Sequence, residues 1–221
     1  MASRLAKASG AQGSRDVSFF HQLTEKPWVT GPGTVVDLHA RRAFSLPTAT
    51  LGLRVFLAVI TVLFTLLVFA YGDRMALADW RPLPEPWLLW LNTAMLILSS
   101  VALQWAWVSA RRGRMDGVKV GLLAGGVLAF VFLAGQLLAW RQLAALGYFA
   151  ATNPAIAFFY LITGLHGLHL LGGLAAWGRT TDKVWQGFEV VQVRLSVELC
   201  AVYWHFLLLV WLVLFGLLLF T

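Results

Sequence analysis

The chain has 221 residues, of which 59% are hydrophobic and 12% are charged, and its mean hydropathy is +0.75. A water-soluble domain of this length cannot place so many apolar side chains in its interior, so the composition excludes a soluble globular protein. The single cysteine, Cys200, excludes an internal disulfide and any metal site built from several thiolates. The formal net charge of +7 fits either a nucleic-acid-binding face or the charge bias of a membrane topology.

Five long apolar stretches follow an N-terminal segment of mixed composition. Residues 1–46 have no apolar run, and we expect a mobile cytoplasmic tail there. The stretches that follow are each long enough for a helix to cross a hydrocarbon core about 30 Å thick. None alternates between apolar and polar residues as a barrel strand does. Residues 47–221 are therefore predicted to form an all-α, polytopic membrane helix bundle with five transmembrane helices. The predicted spans are 51–71, 87–109, 118–140, 154–177 and 195–220.

The basic residues alternate between the two sides of these predicted spans. Of the 17 Lys and Arg residues, seven lie in the tail and the start of the first span, four between the second and third spans, and three between the fourth and fifth. Cytoplasmic loops retain positive charge, so the N-terminus is predicted inside and the C-terminus outside. This topology accounts for the basic charge, and we expect membrane lipids, and no nucleic acid, as partners.

Ionisable side chains within a membrane are costly and mark candidate functional positions. The fourth span contains His166 and His169, and the fifth contains Glu198, Tyr203 and His205. Residues three or seven positions apart share a helix face, so His166 pairs with His169 and Glu198 pairs with His205. At 1.5 Å per residue, His166 and His205 both lie about 15 Å from the cytoplasmic ends of their helices.

Three kinds of site fit these residues. The first is haem or metal ligation, with His166 and His205 as axial ligands of a haem b, although matched histidines at both helix ends, or several glutamates, are the usual requirement. The second is a proton relay, which needs ionisable groups across the whole bilayer. The third is a polar network between the fourth and fifth helices that contacts lipid or a partner. The third interpretation is favoured, and it predicts a subunit with no catalytic residue, no cofactor and no metal of its own.

Small residues and amides indicate where helices approach closely. Glycine lets two backbones come together, and a buried amide can bridge neighbouring helices. The residues predicted to serve helix packing are Asn92, Gly121, Gly125, Gln136, Gly164 and Gly167.

Three segments, in this order, resemble subunit III of the haem–copper oxidases of the cytochrome c oxidase type. They read PWLLWLNT at 86–93, TGLHGLH at 163–169, and Glu198 followed by YWHF at 203–206 and by Trp211. The resemblance covers about residues 50–221 and is to a five-helix form, which lacks the first two helices of the seven-helix version.

This resemblance implies a non-catalytic subunit of a respiratory chain in a bacterial inner membrane. It implies packing against the catalytic subunit I, which holds the haem and copper, together with phospholipid binding and support of proton uptake. Relatives also serve quinol oxidases and nitric oxide reductases, so an accessory subunit of either enzyme is the alternative. The resemblance assigns a polar network or lipid contacts to His166, His169, Glu198, Tyr203, Trp204 and His205.

Carboxylates that are frequent in this family are missing at three places. The stretch 56–64 of the first predicted helix has no acid, and Ala139 stands where a glutamate often precedes the aromatic residue matched by Trp140. Leucines at 207–209 follow the YWHF segment, where many members have an aspartate. Functions that depend on those acids are therefore not carried over to this chain.

Overall fold

The computed structural model of the chain describes residues 48–76, 87–149 and 154–219. These residues form helices α1 (Thr48–Met75), α2 (Leu88–Arg111), α3 (Met115–Ala145), α4 (Pro154–Trp185) and α5 (Val190–Leu219), without strands in the described part. All five are long and apolar enough to cross a membrane, which confirms the predicted fold class. The tail predicted at 1–46 lies outside the described residues, and the orientation of the termini stays a prediction.

Several helices extend beyond the predicted spans. Helix α4 has 32 residues, which makes it about 48 Å long, well over the thickness of the hydrocarbon core. Arg179, Lys183 and Arg194, which the charge pattern places in a loop, therefore lie on α4 and α5. The connection between these helices is only 186–189, where Gly187 has a φ of +85°. Glycine adopts this left-handed conformation at little cost, so the chain turns sharply there.

Helices α2 and α3 form a closely packed hairpin. A Cβ atom added to Gly121 would lie 2.7 Å from the backbone oxygen of Ala102, and one added to Gly125 would lie 2.8 Å from Cγ of Leu103. Real Cβ atoms do not come so close to other heavy atoms. The backbones of α2 and α3 can therefore pack this closely only because Gly121 and Gly125 have no side chain.

Helix α5 packs against α2 and α4, and α4 also packs against α3. The centre of this arrangement contains large, fully buried aromatic side chains, including Phe132, Trp204 and Trp211. Among the described helices, α1 packs mainly against α4 and α5. It buries Ile60, Phe64 and Tyr71. Most of the remaining α1 surface is apolar and exposed, as expected for a helix at the edge of a bundle in lipid.

Candidate functional site: interhelix polar contacts and a basic pocket

Tryptophan indole groups connect α5 to α2. Trp204 donates to Oγ of Ser99 at 2.9 Å, and Trp211 donates to Oγ1 of Thr93, also at 2.9 Å. Ser99 in turn donates to the backbone oxygen of Gly125 on α3 at 2.7 Å. The interhelix polar contacts made by Trp204 and Trp211 therefore run through small hydroxyl residues that the sequence pattern did not single out.

The same kind of contact connects α3 to α4. Trp140 donates to Oγ1 of Thr163 at 3.1 Å, and Trp177 donates to the backbone oxygen of Leu122 at 2.9 Å. The Trp140 ring also covers Gly164, where an added Cβ would lie 3.3 Å from Cη2 of the indole. Gly164 thus provides room for an indole ring rather than for a neighbouring backbone.

Tyr203 and His169 are brought together between α5 and α4. The Tyr203 hydroxyl donates to the backbone oxygen of His169 at 2.8 Å. Nδ1 of His169 is 2.7 Å from the oxygen of Leu165 on its own helix. The Tyr203 ring lies directly over Gly173, where a Cβ would be 2.6 Å from Cε1. The contact between the two predicted site residues therefore uses the backbone, not the imidazole, of His169.

His205 lies on a different side of α5, where it meets α2. Its Nδ1 is hydrogen-bonded to the hydroxyl of Ser100, and its Nε2 is 2.8 Å from Oε1 of Gln104. The side chain of His205 is exposed at the surface of the bundle, whereas Ser100 is buried. Both ring nitrogens are thus engaged with α2.

His166 is completely buried among aromatic rings. Its ring centroid lies 5.3 Å from that of Trp211, 6.0 Å from that of Phe132 and 6.4 Å from that of Phe64. Neither ring nitrogen has a hydrogen-bond partner among the described residues. His166 and His205, the two ligands of the haem hypothesis, therefore have separate surroundings. In the part of the chain that the structure describes, no group of three or more His, Cys, Asp or Glu residues could hold a metal ion.

The remaining predicted positions make fewer contacts between helices than the sequence analysis predicted. Glu198 is half-buried, without a hydrogen bond or ion pair to any described residue, and it is not paired with His205. Asn92 and Gln136 are buried, and within the described ranges Nδ2 of Asn92 and both amide atoms of Gln136 have no partner. An added Cβ at Gly167 would be 4.0 Å from Leu133, which is ordinary contact, so this position does not require glycine for space.

A pocket of about 540 Å³ lies where the start of α1 meets the end of α4 and the start of α5. Arg179 and Lys183, both exposed and one turn apart on α4, contribute the charged part of its lining. Side chains of Leu53, Phe56 and Tyr203 contribute to the rest, so the pocket has a basic end and a mainly apolar wall. This juxtaposition is complementary to a molecule with an anionic group and an apolar chain.

Five apolar helices, with indole–hydroxyl hydrogen bonds between α2 and α5 and between α3 and α4, define a multi-pass membrane protein. The profile of the family described as "Cytochrome c oxidase subunit III" matches residues 48–220, a range that includes all five helices. The chain belongs to the cytochrome c oxidase subunit III family. This confirms the resemblance seen in the sequence and the predicted role as a non-catalytic oxidase subunit.

Curated relatives agree with this family. The chain is 30% identical to a cytochrome c oxidase subunit 3 of Thermostichus vulcanus, over 76% of this chain and 85% of the relative. It is 28% identical to a probable cytochrome c oxidase subunit 3 of Mycobacterium bovis, over 96% of this chain and 97% of the relative. A match of that extent includes most of residues 1–46, a segment that the sequence resemblance did not cover. A subunit 3 of a cytochrome bo(3) ubiquinol oxidase from Pseudomonas aeruginosa is 26% identical over 57% of this chain and 60% of its own length. The longer matches favour the cytochrome c oxidase type over the quinol oxidase alternative.

Proposed function

We propose that this chain packs against the haem–copper catalytic subunit of a bacterial cytochrome c oxidase in the inner membrane, with its N-terminus in the cytoplasm, and stabilises that subunit. The observation that carries the proposal is the family match, which extends over all five described helices. The polar contacts of Tyr203, Trp204 and His205 support it, because they hold helices of the bundle together.

Anionic phospholipid is the proposed ligand of the pocket between α1, α4 and α5. Arg179 and Lys183 would hold the phosphate group at the membrane surface, while the acyl chains would follow the wall that includes Leu53 and Phe56. Basic residues near the cytoplasmic surface attract anionic lipids, and the positive-inside pattern predicts that this end of the bundle faces that side. A bound lipid there would bridge α1, which has few other contacts, to α4 and α5.

Support of proton uptake would follow from this packing, not from proton transfer by the chain itself. No described helix interior offers a continuous series of ionisable groups, since His166 lies among aromatic rings and His205 is bonded to α2. The chain would keep the catalytic subunit and its lipid in the arrangement that sustains turnover.

Gentle detergent extraction of the full, affinity-tagged chain from its own host tests the proposal. We expect it to co-isolate with a polypeptide that shows haem absorption and contains copper. A matched tag on an unrelated five-helix membrane protein of the same host is the control. Recovery of the chain without any haem–copper subunit, under conditions that preserve other respiratory complexes, would refute the proposal.

A further inference from the structure

The strongest unexplained feature is a polar patch on the outer surface of the bundle at membrane depth. It consists of Ser100 and Gln104 on α2 and His205 on α5, and we call it the α2/α5 patch. We propose that the α2/α5 patch is the contact site for a transmembrane helix of the catalytic subunit that presents a hydrogen-bond acceptor at the same depth. The inference rests on the proposed function, because it requires a second membrane subunit.

The α2/α5 patch lies within the apolar spans predicted for these two helices, residues 87–109 and 195–220. His205 is separated from Val190 by 15 residues and from Leu219 by 14, so it lies about 21 to 22 Å from either end of α5. Gln104 is seven residues from Arg111, which places it about 10 Å from that end of α2. In lipid, polar groups at these depths have no water to bond with, and such side chains usually face another protein segment.

The hydrogen bonds within the α2/α5 patch show which of its polar groups still need a partner. Oε1 of Gln104 can only accept, so Nε2 of His205 donates to it, and the other ring nitrogen of the neutral imidazole accepts from the Ser100 hydroxyl. This assignment uses both nitrogens of His205. The amide nitrogen of Gln104 keeps two N–H donors that have no partner among residues 48–76, 87–149 and 154–219. A complementary partner therefore offers a carboxylate, a hydroxyl or a free backbone carbonyl.

Lipid fits the patch less well than a protein segment does. Acyl chains contain no acceptor, and the acceptors of lipid headgroups lie near the helix ends rather than at this depth. In a two-fold contact the same surface meets itself, and the Gln104 donors of one copy could use the second lone pair of the opposite Oε1. A second copy is therefore an alternative outcome of the crosslinking test below.

The surface around the patch is apolar. Val101 and Trp105 on α2 are 59% and 62% exposed, and Leu212 on α5 is 45% exposed. A shallow groove of about 370 Å³ runs along α5 beside His205 and is lined otherwise by leucine and valine side chains. A partner helix could bury its apolar side chains in this groove while its acceptor meets the Gln104 amide.

Site-specific photo-crosslinking in the full chain, expressed in its own host and extracted as the intact complex, tests the inference. The photoreactive residue replaces Val101, one turn from Gln104, or Leu212, about two turns beyond His205. The matched control replaces Val127 on α3, which is 52% exposed on a helix that has few contacts with α5. We expect both patch positions to crosslink to the haem–copper subunit at least tenfold more than Val127. Equal crosslinking from Val127, or crosslinks only to lipid or to a second copy, would overturn the inference.

A substitution gives a second readout. Gln104→Leu keeps a similar volume and removes the amide donors, and we expect it to reduce severalfold the catalytic subunit retained after a detergent challenge. The control is Thr65→Val on the lipid-facing side of α1, since the Thr65 hydroxyl already donates to Thr61 of its own helix. Equal retention by both variants would count against the patch. If even the unaltered chain recovers no haem–copper subunit, the proposed function fails, whereas recovery without patch crosslinks refutes this inference alone.

Discussion

Trp204 on α5 donates its indole N–H to the hydroxyl of Ser99 on α2 across 2.9 Å, and both side chains are fully buried. Ser99 in turn donates a hydrogen bond to the backbone oxygen of Gly125 on α3 at 2.7 Å. Three helices therefore meet in one series of hydrogen bonds within the apolar core. Because no water is expected at this depth, solvent cannot replace a partner that is removed.

Replacing Ser99 with alanine should destabilise the bundle. The variant Ser99→Ala leaves the Trp204 N–H buried without an acceptor, and we expect the free energy of unfolding to fall by about 1 to 2 kcal/mol. Reversible unfolding in mixed micelles measures this change. Thr65→Ala is the control because its hydroxyl lies on the exposed side of α1, and a change within about 0.5 kcal/mol is expected there. A loss of equal size in the two variants would contradict the role assigned to Ser99.

The close approach of α2 and α3 predicts an unusual cost for a glycine-to-alanine change. An added Cβ at Gly121 meets both the backbone and the side chain of the opposite helix, so Gly121→Ala must push the helices apart. We expect a loss of about 1 to 3 kcal/mol, in spite of the better helix propensity of alanine. Gly216→Ala on α5 is the matched control, since nothing lies within 4 Å of a Cβ there. The same unfolding assay should find Gly216→Ala neutral or slightly stabilising, and the reverse order would show that the hairpin is not so closely packed.

Hydropathy was sufficient to predict the number and type of the helices but not their ends. Apolar runs report where the chain lies in lipid, not where its helices end. Helices α4 and α5 continue through Arg179, Lys183 and Arg194 because the backbone hydrogen bonds of a helix are not limited to the hydrocarbon core. Gly187, not the first charged residue, marks the turn between them.

Sequence reasoning found the ionisable residues of the core but not their partners. His166 and His205 look equivalent in depth, yet one is enclosed by aromatic rings and the other contacts α2 at the surface. That difference depends on the rotation of each helix about its axis, which a nearly all-apolar helix does not reveal through its hydrophobic pattern. The hydrogen-bonding roles of Ser99 and Thr93 were not predicted, because serine and threonine are common in membrane helices and the partners of these two residues are distant in sequence. Glu198 and the roles assigned to the polar residues stay predictions.

The basic pocket predicts selective retention of anionic phospholipid. Neutralising both charges in the variant Arg179→Gln/Lys183→Gln should remove most of the anionic lipid bound in this pocket, because no other cation among the described residues lines it. Native mass spectrometry of the intact complex, with lipid identification, measures the occupancy. The matched control is Arg112→Gln/Arg114→Gln, which removes the same charge from exposed positions between α2 and α3. Equal lipid loss in the two variants would indicate a general charge effect instead of a site.

The haem b alternative predicts a haem absorption spectrum for the isolated chain. The hydrogen bonds of His205 do not favour this alternative. Both nitrogens of His205 are hydrogen-bonded to α2, so axial ligation through either nitrogen would require breaking one of those bonds. We expect the purified chain, separated from other subunits, to show no Soret band in its absorption spectrum. A Soret band that disappears in both His166→Ala and His205→Ala would instead establish the cytochrome.

Substitution of His166 tests whether water or another hydrogen-bond partner is present in the core around it. Its imidazole is fully buried without a hydrogen-bond partner among the described residues, and aromatic rings surround it. Removing an unsatisfied polar group in favour of an apolar one of similar shape costs no hydrogen bond and relieves desolvation. We therefore expect His166→Phe to leave the free energy of unfolding unchanged or to raise it by up to about 1 kcal/mol, as measured in mixed micelles. His166→Asn, which keeps polar atoms but loses ring contacts, should be clearly less stable than His166→Phe. If His166→Phe instead costs 2 kcal/mol or more, on the order of an unsatisfied buried group, the imidazole has a hydrogen-bond partner and the core around it is not dry.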